Sequence, residues 1–576
     1  MTPPTRIRRV SYISALWIGC SEFGYLAPIY SAIYDYEPDF GSKAADYAEI
    51  RASCCVIVKQ SRSVVSAISS DSTYGKGFSV PIGLLPAHSQ KALGELSDPM
   101  LLRKEGYIDG KWTSCGSDTR FDVTNPSTGA VLAEVADVSE NGAKDAIDGA
   151  ARSFPAWRSL LPQERARILH NWFELILSAK EDLALLMTLE QGKPLAESRG
   201  EIDYAASFLE WYAEESKRLN VESVISHLPN AETVIRREPL GVVAVVTPWN
   251  FPSAMLTRKA AAALAAGCTV VAHPSAETPL SALALAELGE RAGLPAGVFN
   301  IVPGDAATIV GHFCQDARVR ALSFTGSTEI GRLIAARCAP NIKRLVMELG
   351  GHAPLIIFDD TDIERAVAIA LDAKFATSGQ DCLAANRIYV QRAIYDRFCV
   401  AFGARVARLK LGDGLDPAAE IGPLMHERAV AKIEAQVADA VEHGARLVVG
   451  GHRNEPGSLF FRPTLLIDVP DTALIMRAET FGPVAAVAAF DSEAEVIARA
   501  NDTEYGLVAY VVTEKGARQL RMARALDYGM VAVNRVKITG APIPFGGVKQ
   551  SGLGREGSRH GIEAFTELKY ICLNVA

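Results

Sequence analysis

The 576-residue sequence predicts an α/β protein with more than one lobe. Three observations carry this reading. The chain is too long for a single small core. Hydrophobic residues make up 49% and charged residues 22%, enough apolar side chain to fill a large interior. Between Gly241 and Pro354, short apolar runs alternate with helical stretches, as in βαβ units around a parallel sheet.

Residues 1–94 read differently from the rest. Arg6, Arg8 and Arg9 precede an apolar stretch from Val10 to Cys20, a faint imitation of a secretory leader, and Trp17-Ile18-Gly19-Cys20 makes a poor lipoprotein-like junction. The span has no clear periodicity and is expected to be a disordered extension, or translation assigned from too early a start. Met100 stands just before the first segment that looks folded. Strands are predicted over 242–247, 269–272, 298–302, 320–324 and 344–348, each too short and too apolar for a surface helix and suited to a buried parallel sheet. Thr278-Pro279 offers a capping oxygen before a proline at the first helical position, and Gly293 can close that helix. Residues 363–376, 394–409 and 427–442 read as helices of a second α/β lobe, and 568–573 as a closing strand.

Composition removes several functional classes. A formal charge of −8, with no long basic run interleaved with aromatics, gives no purchase on nucleic acid. No stretch approaches the roughly 18 apolar residues that span a bilayer, so no membrane partner is expected. The ten cysteines stand singly apart from Cys54-Cys55, without Cys/His ligand spacing, so neither a metal site nor a disulfide scaffold is indicated. Reduced thiols suit the cytoplasm, the expected location.

Four segments can carry chemistry, and each has a plainer alternative. Thr325-Gly326-Ser327-Thr328 follows a strand and opens a helix, where small residues let backbone amides meet a pyrophosphate; it also reads as a tight turn. In Thr247-Pro248-Trp249-Asn250 an amide is held at the end of the first strand of the βαβ region. Asn250 can donate to an oxyanion or cap the next helix. Cys382 follows Gly379-Gln380-Asp381 in a turn where a thiolate can be activated, although a lone cysteine is usually a small buried hydrophobe. Glu348 ends an apolar strand before Leu349-Gly350-Gly351, as a general base or as a strand-end acceptor. No histidine pairs locally with Cys382, so a Cys–His protease has no support.

In this order, the motifs resemble the aldehyde dehydrogenase superfamily over roughly residues 95–576. Glu190-Gln191-Gly192-Lys193-Pro194, Glu479-Thr480-Phe481-Gly482-Pro483 and the run from Pro544 to Gly552 match as well, and Glu348 stands 34 residues before Cys382 as the family's base and nucleophile do. The resemblance implies a Rossmann-type NAD(P)-binding domain (95–218 and 239–349), an α/β catalytic domain (350–560) and a small β bridging element (219–238 and 561–576) used to form a homodimer or homotetramer. It implies NAD or NADP as cofactor, bound by Thr247, Pro248, Trp249, His273, Ser275, Ala276, Gly326, Ser327, Leu349, Glu479 and Phe481. It implies that Cys382 attacks an aldehyde, that Asn250 and the Cys382 backbone N–H hold the oxyanion, and that Glu348 activates water against the thioester. A glutamate at 348 favours water over coenzyme A as acyl acceptor.

Within the family, the run from Asn250 to Lys259 and the stretch from Pro544 to Ser558 most resemble succinate-semialdehyde dehydrogenases. Arg258 matches an arginine used there on the substrate carboxylate. The second such arginine is replaced by Ala376, and the loop serine that joins it by Thr539. Lys537 or Arg535 can supply the missing charge or simply face water. His273 replaces a lysine and is charged only part of the time near neutral pH, and Ala276 replaces a glutamate that repels a 2′-phosphate, so the sequence leaves NAD and NADP open. The expected reaction is oxidation of succinate semialdehyde to succinate. Another semialdehyde, an aliphatic or aromatic aldehyde, or a catalytically silent structural protein on the same fold are the alternatives.

Overall fold

The structure is a computed structural model, and it describes residues 85–219 and 221–575. The leader-like start of the chain lies outside the described residues. Part of the span expected to be an extension is folded: Leu85–Leu93 is a helix in which Ser89, Ala92 and Leu93 are buried. Asn125 Nδ2 donates to Ser89 Oγ at 3.1 Å, and Gln90 Nε2 to the Val131 carbonyl at 2.7 Å. The sparse apolar residues of this helix suffice because they meet an existing core and need not build one.

Five parallel strands form the centre of an eight-stranded sheet, in the order Arg344–Glu348, Val319–Thr325, Val242–Val246, Thr269–His273, Phe299–Ile301. The Val242–Val246 strand is entirely buried, and its β-branched side chains suit a sheet covered on both faces. The 344–348 expectation matches its strand end for end, and the other four differ by a residue or two. Two short antiparallel strands, Gly106–Ile108 and Lys111–Thr113, extend one edge. At the other, Gly552–Leu553 pairs with Arg344–Glu348. Those two residues fall in the span expected to belong wholly to the second lobe. The chain instead returns there and covers an edge otherwise open to pairing.

Strand order reverses beside Val242–Val246: the chain moves to one side through Thr269–His273 and Phe299–Ile301, then to the other through Val319–Thr325. A crevice therefore opens at the carboxyl ends of these two neighbours. The fully buried Pro252–Ala266 helix is made largely of small residues and packs closely against Leu195–Glu215. Pro279–Arg291 begins at Thr278 and closes before Gly293 at φ +94°. Its expected cap is corrected: Thr278 makes no side-chain cap, and the Glu190 carboxylate accepts from the Leu280 and Ser281 amides at 2.8 Å each. A carboxylate placed from another helix meets two amides and the positive helix end at once, which a hydroxyl cannot.

The second sheet has seven strands, in the order Arg446–Val449, Thr464–Ile467, Val484–Phe490, Ala385–Gln391, Ala353–Ile357, Val508–Val512, Met530–Val533. All its pairings are parallel except the first. The helices Ile363–Phe375, Tyr395–Val406 and Glu427–Glu442 flank it. Only residues 349–352 separate the last parallel strand of the first sheet from Ala353–Ile357. Glu222–Val224, Ala231–Pro239 and Thr566–Asn574 make a separate antiparallel sheet. Among the described residues no helix is long and apolar enough to cross a membrane.

The largest core lies between the first sheet and the helices beside it, with Trp172 fully buried, its ring 5.2 Å from that of Phe299 and its Nε1 donating to the Leu285 carbonyl at 3.1 Å. Trp172→Ala empties this position and removes that hydrogen bond. We expect it to lower unfolding free energy by about 3–5 kcal/mol, read as a drop in the denaturant midpoint.

Candidate active site

The carboxyl edge of the first sheet faces the amino edge of the second. Asn250 follows Val242–Val246, Gly326 and Ser327 follow Val319–Thr325, and Glu348 ends Arg344–Glu348. From the opposite side, Cys382 precedes Ala385–Gln391, and Glu479 and Phe481 precede Val484–Phe490. Between them runs a groove of about 400 Å³, lined by Pro248, Trp249, Asn250, Gly326, Ser327, Glu348, Leu349, Cys382, Glu479 and Phe481. Ten of the residues singled out from sequence thus meet in one space. Thr247, buried behind them, donates its amide to the His273 carbonyl at 3.1 Å.

Cys382 sits on a turn fixed from several directions. Thr377, Ser378 and Gly379 all take left-handed backbone at φ +51°, +57° and +70°, a costly conformation for the first two. Side-chain contacts hold it. The Glu197 carboxylate accepts from the Thr377 amide at 3.0 Å, Ser378 Oγ accepts from Gly422 N at 2.9 Å, and Gln380 Oε1 accepts from Met425 N at 3.0 Å. A Cβ at Gly351 would collide with the Cys382 carbonyl, so glycine there lets the two lobes close on each other.

Glu348 is almost fully buried, and neither of its carboxylate oxygens has a well-formed hydrogen bond, although the group interacts directly with the Cys382 thiol. The strand-end acceptor alternative therefore fails. Burial pushes this carboxyl up to about 7, against the pull of Arg258. Burial, with the Glu348 and Asp381 carboxyls beside it, holds the Cys382 thiol well above its usual range. At rest the thiol keeps its proton, and a carboxylate able to take it is in contact. Asn250 does not cap the following helix: the Ser253 and Ala254 amides go to Glu201 Oε1 at 3.0 and 3.2 Å, and the Asn250 amide donates to the Gln380 carbonyl at 3.0 Å. An amide NH₂ has two hydrogens, so one remains for a ligand.

The rest of the groove suits a long anionic ligand ending in a flat ring. The Thr328–Cys338 helix begins at the groove, with Ser327 at its N-cap among the lining residues, and a helix N-terminus there favours an anion. A Cβ at Gly326 would strike the Phe324 ring, so the backbone there stays bare. Phe481, left-handed at φ +54°, stacks edge-on to Trp249 at 5.6 Å. Glu479 accepts from the Gly351 amide at 2.9 Å, which fixes its carboxylate at the seam of the two lobes.

Other expectations need revision. His273 is buried with Nδ1 against the Val302 carbonyl at 2.9 Å, and burial lowers its pKa, so it is neutral near pH 7 and not charged part of the time. Ala276 is exposed, and Ser275 Oγ donates to Glu277. Although burial works the other way, contacts with His426 and Ser275 hold the Glu277 carboxyl at about 2. Arg258 is no open guanidinium: it is buried, its Nε lies 2.6 Å from Glu556 Oε2, and it stacks on Phe545 at 4.2 Å. Lys537 and Thr539 lie exposed on their loop outside the groove lining, Lys537 near Glu197 and Thr539 in contact with Tyr204.

His426, Arg428 and Lys432 also line the groove, from the start of Glu427–Glu442, and escaped the sequence reading. On a charged amphipathic helix nothing marks these three out. Lys259 and Glu556, a buried ion pair, were missed too. Here a signal existed, because Arg258-Lys259 interrupts an otherwise apolar helix and buried charge demands a partner.

The aldehyde dehydrogenase family model matches residues 112–571. The chain is 51% identical to succinate-semialdehyde dehydrogenase [NADP(+)] GabD of Escherichia coli (strain K12), over 84% of this chain and 100% of that one. It is 50% identical to a glutarate-semialdehyde dehydrogenase of Pseudomonas aeruginosa, over 83% and 99%. The crystal structure of succinate-semialdehyde dehydrogenase from Burkholderia pseudomallei superposes with a TM-score of 0.83 at 47% identity, covering 84% of this chain and all of that one. A two-sheet body with a cysteine, a carboxylate and an amide at its seam thus comes with matching sequence along most of its length, and the chain belongs to the aldehyde dehydrogenase family.

Proposed function

We propose that this enzyme oxidises succinate semialdehyde, or a near homologue with a terminal carboxylate, to the acid with NAD or NADP. The observation that carries the chemistry is the meeting of Cys382, Glu348 and Asn250 at one end of the groove. Cys382 Sγ, giving its proton to Glu348, adds to the carbonyl carbon, and the oxygen becomes an oxyanion. The free hydrogen of the Asn250 amide and the Cys382 backbone N–H stabilise that charge where water is largely excluded. What NAD or NADP supplies here is acceptance of a hydride from the carbon attached to Sγ. Pro248, Trp249, Ser327, Leu349, Glu479 and Phe481 would hold that cofactor along the groove. Once Glu348 has passed the thiol proton to solvent it takes a proton from water, the water oxygen adds to the acyl carbon, and the thioester C–S bond breaks, with Cys382 Sγ leaving and recovering a proton from Glu348 as the acid is released.

The substrate class rests on what the relatives are named to act on and on Arg258, whose charge lies close enough to Glu348 and Cys382 to influence both. Glu556 meets Nε and Met255 Sδ accepts from Nη2 at 2.8 Å; Arg258 itself does not line the groove, and only its remaining guanidinium hydrogens are left for a substrate carboxylate. Thr539 and Lys537 would complete the tail site from their loop. For the cofactor, burial lowers the His273 pKa and so weakens any charge it offers a 2′-phosphate, and the Glu277 carboxylate, held low by His426 and Ser275, stands two residues from Ser275. We therefore read NAD as preferred over NADP, which a kcat/KM comparison of the two tests.

The separate antiparallel sheet supports association of copies. Leu568 and Tyr570 on Thr566–Asn574 are 61% and 58% exposed, and Val224 on the opposite strand 50%, an apolar face that a monomer leaves in water.

Cys382→Ala should lower turnover by about 10⁴-fold or more. Glu348→Gln removes the acceptor of both protons and should slow the first burst of reduced cofactor as well as lower the steady state about 10²–10⁴-fold. Because the base works when ionised, the wild-type hydrolytic step should rise with pH through about 7, and Glu348→Gln should flatten that rise. Arg258→Ala should cost about 10- to 100-fold more kcat/KM on succinate semialdehyde than on an uncharged aldehyde of similar length. Equal losses on both would remove the case for a carboxylate clamp. Leu568→Asp with Tyr570→Asp should shift sedimentation toward the monomer; an unchanged profile would place the interface elsewhere.

A further inference from the structure

The helices Lys180–Gln191 and Leu195–Glu215 form a hairpin outside the groove, yet they send buried polar side chains to two of the segments that frame the site, the Asn250 turn and the Cys382 turn. Glu190 caps Pro279–Arg291. Glu197 accepts from the Thr377 amide, five residues before Cys382. The hairpin turn carries Lys193, 2% exposed in a protein interior where a lone ammonium is costly. Its Nζ donates to Glu201 Oε2 at 2.6 Å and to the Asn250 main-chain carbonyl at 2.7 Å, and lies 4.2 Å from the centre of the Phe251 ring. The other oxygen of Glu201 takes the Ser253 and Ala254 amides. A single buried ion pair thus grips the backbone at Asn250 and again three residues on.

We propose that Lys193, with Glu201, is a positioning residue for the Asn250 amide: it fixes the backbone from which that amide reaches the oxyanion. This rests on the oxyanion role given to Asn250 above. Donors to a developing charge must be aimed before the charge forms, and Asn250 has no other anchor of comparable strength: its side chain reaches only the Gln380 carbonyl, itself on the Cys382 turn. Lys193 does not itself line the groove and meets the lining at Asn250, so its effect passes through Asn250. The hairpin also ties both halves of the constellation to one rigid body, through Lys193 and Glu201 to Asn250 and through Glu197 to the Cys382 turn.

The test is a double-mutant cycle on the full chain, read as the single-turnover rate of cofactor reduction with saturating semialdehyde. Lys193→Met alone leaves Glu201 charged and unpaired, so the working variant is Lys193→Met with Glu201→Gln, which removes both charges and keeps an acceptor for the Ser253 and Ala254 amides. It should fold, bind the dinucleotide with an affinity within about twofold of wild type by fluorescence quenching, and lower the single-turnover rate about 10- to 100-fold. Asn250→Ala should lower it by at least as much, and the pair of changes should add little to Asn250→Ala. Losses that multiply in the combined variant, or an unchanged rate in the Lys193/Glu201 variant, would overturn the positioning role while leaving the oxyanion reading in place. A full rate in Asn250→Ala would overturn the oxyanion reading and this inference with it.

Discussion

The link from Glu348 to Ala353 governs this structure. Glu348 is the last residue of a strand in one sheet and Ala353 the first of a strand in the other, so the two Cα atoms lie at most about 18 Å apart even on a fully extended chain. The carboxyl edge of the first sheet must therefore face the amino edge of the second across one narrow space. Gly350 and Gly351 make the approach possible: a Cβ on Gly350 would press on Tyr505, Glu479 and Thr328, and one on Gly351 would collide with the Cys382 carbonyl. The residue that begins the link is the buried carboxylate, and the residue its end presses against is the nucleophile candidate. Topology thus brings these two groups into contact, and loop flexibility has no part in it.

Charge burial is how the seam is held and also how it is tuned. Glu348 is left without a full hydrogen bond and its carboxyl rises to about 7, which suits a base working near neutrality. A short way off, Glu556 is gripped by Arg258 and Lys259, and its carboxyl is held below the usual range despite burial. Two carboxylates in similar depth are driven in opposite directions because one is directly ion-paired with Arg258 and Lys259 and the other feels these cations only from a distance. Glu190 and Glu201 serve neither end: both oxygens of Glu190 and one of Glu201 are spent on helix amides, the other Glu201 oxygen holds Lys193, and both residues act as fixed braces. The same residue type fills three jobs, and only its partners tell them apart.

Much of this was legible in the sequence. Apolar runs of five residues, spaced by helices with Pro or Gly at their ends, have few packings other than a parallel sheet, and the strand ends fell within a residue or two of where hydrophobic pattern put them. Cys382, Glu348, Asn250, Trp249 and Ser327 could be picked out because each stands in an unusual local setting, a glycine turn, a strand end, a pair of prolines, whereas Glu479 and Phe481 came only with the family resemblance. The helix cap at Thr278 went the other way. Its local pattern was good, and a carboxylate from ninety residues earlier displaced it.

The sequence by itself determined the fold and the family and offered Cys382, Glu348 and Asn250 as candidates for nucleophile, base and amide, because these depend on local pattern and on order along the chain. Only the tertiary structure decided the charge states and the pairings. His273 is neutral since its strand end is buried, Arg258 is half committed since Glu556 arrives from nearly three hundred residues away, and Lys193 matters since its turn folds back on Asn250. Electrostatic free energy depends on distance and on exclusion of water, and neither quantity exists until the chain has closed on itself.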